Sequence, residues 1–264
     1  MRLKVFHDGE EITRLALKAV RETVREKPNG VFGFPTGQTF RSMYAIMRSE
    51  CSLGKLVLER IRAVQLDEYL GLPDDHPRRF SRFLLEEVFA PCGLNRENLC
   101  LFCSKNAFRE ADGLAYDARV EEWGGIDLQL LGIGANGHVG FNEPAKTFSE
   151  GAHSVFLTEE TRRDAAAAFG SLDKVPRQAV TLGIGSLLRA KKILLLAMGE
   201  GKARAIQSML LERPSPQCPA SGLVDHPNLT ILIDEAAASL LPGEMVKVAQ
   251  GGKSGWMRSA WANS

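Results

Sequence analysis

No apolar run in this chain of 264 residues approaches the ~20 residues that a membrane-spanning helix needs. A membrane protein is not expected. The opening M-R-L-K-V-F-H-D-G-E is too polar for a secretory signal, so the expected compartment is the cytoplasm. An excess of one charge is also missing: 33 Lys and Arg stand against 32 Asp and Glu, a net +1. That balance argues against a nucleic-acid partner, for which only a local basic patch would then serve. Cysteine is sparse. Five residues, Cys51, Cys92, Cys100, Cys103 and Cys218, are odd in number and scattered, which suits a reducing compartment rather than a disulfide scaffold. Cys100 and Cys103 form a C-x-x-C with no second pair or nearby histidine, so no zinc site is expected. In a strand Leu99–Phe102 their sulfurs point to opposite faces, as free thiols. There is no metal-ligand cluster, no G-x-S-x-G nucleophile elbow, no internal repeat and no linker.

What is present is an alternation of strand-like and helical runs. Short apolar runs at Val31–Phe34, Ile61–Leu66, Leu99–Phe102, Ile126–Leu131, Ser154–Leu157, Ala179–Leu182, Lys192–Ala197 and Leu229–Ile233 read as strands. Helical spacing marks Phe40 to Ser49, Pro77 to Phe89, Ala107 to Trp123 and Glu159 to Phe169. Such alternation predicts an α/β fold with a mostly parallel sheet covered on both faces. Hydrophobic content of 44% is enough for a sizeable core. Residues 1–245 are expected to form a single domain and residues 246–264 a loose C-terminal tail. The tail contains Gly251-Gly252-Lys253-Ser254, but Lys247 stands where a P-loop needs its first glycine, and no βα unit follows.

The chemistry concentrates at strand ends, where open α/β sheets bind ligands. Gly132 to Pro144 reads G-I-G-A-N-G-H-V-G-F-N-E-P. Its first glycines match the dinucleotide fingerprint, yet Gly140 and Pro144 leave no room for the helix that must receive a pyrophosphate. The run therefore offers His138 with Glu143 for proton transfer, or a tight turn with an incidental histidine. Three other strand ends carry polar loops. Pro35 to Thr39 reads as an anion cradle of free helix-start amides, or as an ordinary threonine N-cap. Asp67-Glu68 offers a general base, or a solvated acidic pair. Gly199-Glu200-Gly201-Lys202 offers amides with a cation for phosphate, or a glycine turn with a solvated lysine. Together they favour a phosphorylated small molecule undergoing proton transfer.

These residues resemble the glucosamine-6-phosphate deaminases, within the wider sugar-phosphate isomerase and 6-phosphogluconolactonase group. The resemblance runs from about Phe6 to about Ala238. It rests on Phe34-Pro-Thr-Gly-Gln-Thr39, Gln65-Leu-Asp-Glu-Tyr-Leu-Gly-Leu-Pro73, Gly132 to Pro144 and Pro219-Ala-Ser-Gly-Leu-Val-Asp-His-Pro227. It implies a three-layer α/β/α, Rossmann-like fold and no cofactor. The implied reaction takes an amino-sugar 6-phosphate and water to a ketose 6-phosphate and ammonia through an enolamine. Asp67 matches the base that moves a proton between C2 and C1. His138 matches the residue that assists ring opening, and Glu143 its relay partner. Thr36, Gly37, Gln38, Thr39 and Lys202 match the phosphate-binding loops, and Glu68 and Gly137 complete the expected substrate-binding set. Two positions depart from the pattern. Asn136 stands where some members carry aspartate, and is expected to orient His138 without carrying a proton. Ala167 stands where the family places a phosphate-clamping arginine; Arg163, one turn earlier, is expected to replace it. The partner implied is a phosphorylated amino sugar, with a homo-oligomer as a candidate assembly. Galactosamine 6-phosphate, a related sugar-phosphate isomerisation and a non-catalytic phosphosugar sensor are the alternative readings.

Overall fold

The computed structural model describes residues 1–103 and 108–251. From residue 252 onward the expected tail, with most of its Gly-Gly-Lys-Ser stretch, lies outside the described residues. The chain runs β1 (Arg2–Phe6), α1 (Gly9–Glu26), β2 (Val31–Phe34), α2 (Arg41–Ser52), β3 (Arg62–Gln65), β4 (Asp67–Tyr69), α3 (Phe80–Leu84), β5 (Leu99–Cys100), α4 (Glu110–Glu122) and β6 (Leu128–Gly132). It continues through β7 (His153–Phe156), α5 (Glu159–Phe169), β8 (Gln178–Thr181), α6 (Ile184–Leu188), β9 (Ile193–Ala197), α7 (Ala203–Leu211), β10 (Leu229–Asp234) and α8 (Gly243–Gln250).

Seven strands form one parallel sheet in the order β1-β10-β9-β6-β2-β3-β5. Its central strands are apolar at successive positions because both faces are covered. Phe32, Phe34, Leu128, Leu130, Leu194 and Leu196 join Ile12, Leu17 and Val20 of α1 and Met43 and Tyr44 of α2 in one core. Their alternates Val31, Leu131, Ile193, Leu195 and Ile231 join Val120 of α4, Ile206 of α7 and Met245 of α8 in the other. The result is a single α/β/α domain. From β2 the chain moves outward to β3 and β5, then returns to β6 on the opposite side of β2. The reversal between β2 and β6 opens a crevice at the carboxyl ends of those strands, the usual ligand position in such sheets.

Several expectations need correction. The runs Ser154–Leu157 and Ala179–Leu182 do not join the parallel sheet. As β7 and β8 they form a three-stranded antiparallel sheet, order β4-β8-β7. Alternate residues of β7 are exposed, the pattern of a sheet with one wet face. The stretch Pro77–Phe89 is shorter as an α-helix: α3 starts at Phe80 and gives way to a π-helical turn over Leu85–Phe89. Finally, α8 crosses the 245/246 boundary and buries both Met245 and Ala249, so packed structure continues to Gln250.

Candidate active site

The loop after β2 is shaped by burial behind it. The Tyr44 hydroxyl donates to the Pro35 carbonyl at 2.6 Å, holding Thr36 to Thr39 above the start of α2. Gly37 is the N-cap of a short 3-10 turn, Gln38–Phe40, that leads into α2, and no side chain caps it. First-turn amides have no acceptor within their own helix, and the aligned peptide dipoles make this end attractive to an anion. Thr36, Gly37, Gln38 and Thr39 all line one cavity of ≈ 440 Å³. Lys202 lines the same cavity, at the end of a turn that begins at Gly199 with φ +86°. The Gly199 amide donates to both Asp234 carboxylate oxygens, at 3.0 and 2.9 Å, which anchors the turn. Burial lowers the Lys202 pKa, and the nearby Asp164 carboxylate opposes that shift. Among the described residues Lys202 is the one lysine or arginine lining the cavity.

Asp67 opens β4 directly beyond the end of β3. Its side chain lines the cavity but is only 7% exposed, and Oδ1 is buried without a hydrogen-bond partner among the described residues. Burial, then the adjacent Glu68 charge, pushes its pKa up to about 8. A carboxyl so tuned can exchange protons near neutral pH. Glu68 has the opposite fate. It is fully buried and accepts from the amides of Tyr69 (2.9 Å), Phe80 (3.0 Å) and Ser81 (2.8 Å). It is a cap for the start of α3 and does not line the cavity, in contrast to its expected place in the substrate-binding set.

The run from Gly132 folds as a tight turn with no helix after Gly137, so no dinucleotide seat forms. Gly134 lies against the His138 ring: a Cβ there would sit 2.1 Å from it. Gly137 has φ +85° and meets Cys218, and its carbonyl accepts from the Ala220 amide at 2.9 Å. The Pro219 segment therefore buttresses this turn, and Gly137 itself stays outside the cavity lining. The backbone amide of His138 and its ring Nδ1 both approach Asn136 Oδ1, at 3.1 and 2.7 Å. An amide N–H can only donate, so Asn136 presents oxygen here, and Nδ1 must carry its proton. Nε2 then keeps its lone pair. Asn136 Nδ2 donates to Glu143 Oε2 at 3.4 Å, and Glu143 also accepts from the amide and hydroxyl of Thr158, the N-cap of α5, at 3.2 and 3.3 Å. Glu143 thus reaches the imidazole through the Asn136 amide. Burial lowers the His138 pKa, Glu143 draws it up, Lys202 lowers it further and Asp164 raises it.

Asp67, His138, Lys202 and the loop Thr36 to Thr39 share the cavity, while Glu68, Asn136, Gly137 and Glu143 are not among the residues that line it. The α5 face turned toward it carries Thr161, Asp164 and Ala165, none of which stands out in the sequence. Their shared face follows from helical spacing once α5 is docked. Neither Ala167 nor Arg163 lines the cavity. Arg163 is largely exposed and ion-paired to Glu159, so the expected replacement of the clamp is not realised in this geometry.

A profile of the family described as glucosamine-6-phosphate isomerases/6-phosphogluconolactonase matches residues 9–232. A glucosamine-6-phosphate deaminase of Thermoanaerobacter pseudethanolicus is 38% identical over 247 residues, covering 94% of this chain and 98% of that protein. One from Clostridium perfringens is 39% identical over 241 residues, covering 91% of this chain and 100% of its own. Among solved structures, a monomeric glucosamine-6-phosphate deaminase superposes with a TM-score of 0.86 at 37% identity, covering 91% of this chain and 100% of that one. Asp67, His138, Asn136 and Glu143 fall inside the matched region, and the chain belongs to the glucosamine-6-phosphate isomerase/6-phosphogluconolactonase family.

Proposed function

We propose that this protein is an enzyme that converts glucosamine 6-phosphate and water to fructose 6-phosphate and ammonia. One observation carries the reading. A buried, unpartnered carboxyl at Asp67 and a histidine whose Nδ1 is held by Asn136 face the same cavity as an amide cradle and a lysine. The phosphate group would lie on the Thr36 to Thr39 amides opposite Lys202. His138 Nε2 accepts the proton of the anomeric hydroxyl and returns one to the ring oxygen, which opens the ring. The Asp67 carboxylate removes the proton from C2 while one proton of the C2 ammonium passes to the C1 oxygen, giving an enolamine; Asp67 then delivers its proton to C1, leaving a protonated imine at C2. Water adds to that carbon, the C–N bond breaks and ammonia departs. Burial and the adjacent Glu68 keep Asp67 protonated near neutral pH. The substrate's ammonium at C2 favours its ionised form, since an opposite charge within reach lowers a carboxyl pKa.

Glu143 and Asn136 act behind His138 as positioning residues. Among the described residues no helix is long and apolar enough to cross a membrane. The test is ammonia release from glucosamine 6-phosphate by wild type and Asp67→Asn. A variant that binds the sugar phosphate but releases no ammonia supports the reading. Undiminished release by the variant, or none from wild type, overturns it.

A further inference from the structure

Met198 is the residue before the Gly199 turn that carries Lys202, and it lines the cavity. It also packs against the core cluster that holds Ile12 of α1 and Phe40. Its sulfur rests on the first turn of α1. A Cβ at Gly9 would sit 2.5 Å from Met198 Sδ, and 3.8 and 3.9 Å from its Cγ and Cε. Non-bonded heavy atoms settle at about 3.5–4.0 Å, so the sulfur occupies space that any side chain at Gly9 would need. The backbone gives no separate reason for this glycine. Gly9 opens α1 without a positive φ, and alanine is the better helix former. The Asp8 carboxylate already caps this helix end, accepting from the Glu10 and Glu11 amides at 2.9 and 3.0 Å. If a methyl group were added at Gly9, Met198 would yield before a capped helix does, because its thioether is the end of a flexible side chain. The cluster behind it is filled with buried side chains, so its open direction is the cavity.

We propose, on the sugar-phosphate reading of this cavity, that Gly9 is a positioning residue for substrate binding. It gives the Met198 sulfur a seat on α1 and so holds the thioether back from space that the phosphorylated sugar occupies. Met198 and Gly9 together set the room at the part of the lining that leads into the Lys202 turn. Neither residue takes part in proton transfer. Space taken by a displaced Met198 is lost to the substrate and to the transition state alike, so the effect belongs to KM and not to kcat.

The test is a double-mutant cycle of Gly9→Ala and Met198→Ala, read as ammonia release from glucosamine 6-phosphate. Gly9→Ala alone should raise KM by about tenfold, the scale of one overpacked group. Its kcat should stay within about twofold of wild type, and its melting temperature should not fall. Met198→Ala removes the side chain that must move, so in that background Gly9→Ala should leave KM where Met198→Ala put it. Such coupling marks two residues in contact. An unchanged KM in Gly9→Ala, or an equal rise in both backgrounds, would overturn the proposal. A second readout needs no turnover. In protein labelled at its methionine methyl carbons, the NMR signal lost in Met198→Leu identifies Met198. That signal should move in Gly9→Ala while those of the methionines remote from Gly9 stay in place. A Met198 signal unmoved in Gly9→Ala would overturn the proposal whether or not ammonia is released. Absence of release by wild type would instead overturn the sugar-phosphate reading on which the proposal rests.

Discussion

Groups that line the cavity and groups packed outside it are treated differently. Of those that line it, Asp67 Oδ1 lacks a partner and Lys202 has no ion pair among the described residues. A carboxyl outside the lining is saturated. Glu68, Asp67's neighbour in β4, accepts from three backbone amides and from Gln65 Nε2. Tyr69, Phe80 and Phe141 pack ring to ring beside it, with centroids 4.9 to 5.8 Å apart. Adjacent carboxyls thus illustrate the division between reactivity and structure. An unpaired buried group costs stability and gains a shifted pKa, whereas a fully bonded one contributes to the fold.

The widest gap between the two settings should appear when each carboxyl is removed. Glu68→Ala strands the Phe80 and Ser81 amides and should cost about 3 kcal/mol, lowering the melting temperature by about 6–12 °C. Asp67→Asn should stabilise the protein, increasingly so at higher pH. The Asp67 carboxyl titrates near 8 in the fold and near 3.8 when unfolded. Between those values the native state holds a proton that the unfolded state has released, so wild-type stability falls as pH rises through that window. Thermal melts at pH 5 and 8 would break the comparison if both variants lost stability alike.

A smaller effect is expected at Lys202. Its removal deletes a charge-assisted contact worth about 1.5–3 kcal/mol, so Lys202→Ala should raise KM for the sugar phosphate by about 10- to 150-fold. The smallest belongs to Arg163. Exposed and paired to Glu159, it should tolerate alanine with less than about a twofold change in KM, as expected for a surface ion pair. A large rise in KM would instead place its guanidinium on the substrate.

The sheet centre was legible because strands buried on both faces read as continuous apolar runs; Ile193–Ala197 is the clearest instance. The edge strand β1 leaves little trace in the sequence because Arg2-Leu-Lys-Val-Phe6 buries only alternate residues. For α1 the Asp8 cap and the buried Ile12, Ala16, Val20 and Val24 do carry a helical signal. Three residues, Asp67–Tyr69, are too few to show any period, so β4 is not distinguishable from a loop in the sequence. The polar strand ends were legible as local motifs, and most of them line the cavity. Which member of a motif faces inward was not. Glu68 turns away because amides 12 and 13 residues later claim its oxygens. The face of α5 that meets the cavity depends on docking against the small sheet, so Asp164 carried no local signal and Arg163 a misleading one.

The most direct measurement is the ionisation of Asp67 itself, followed as the protonated-carboxyl infrared band in wild type minus Asp67→Asn. The account predicts that this band persists through neutral pH and disappears near pH 8. Its loss near pH 4, where an ordinary aspartate titrates, would contradict the account and make Asp67 another solvated carboxylate.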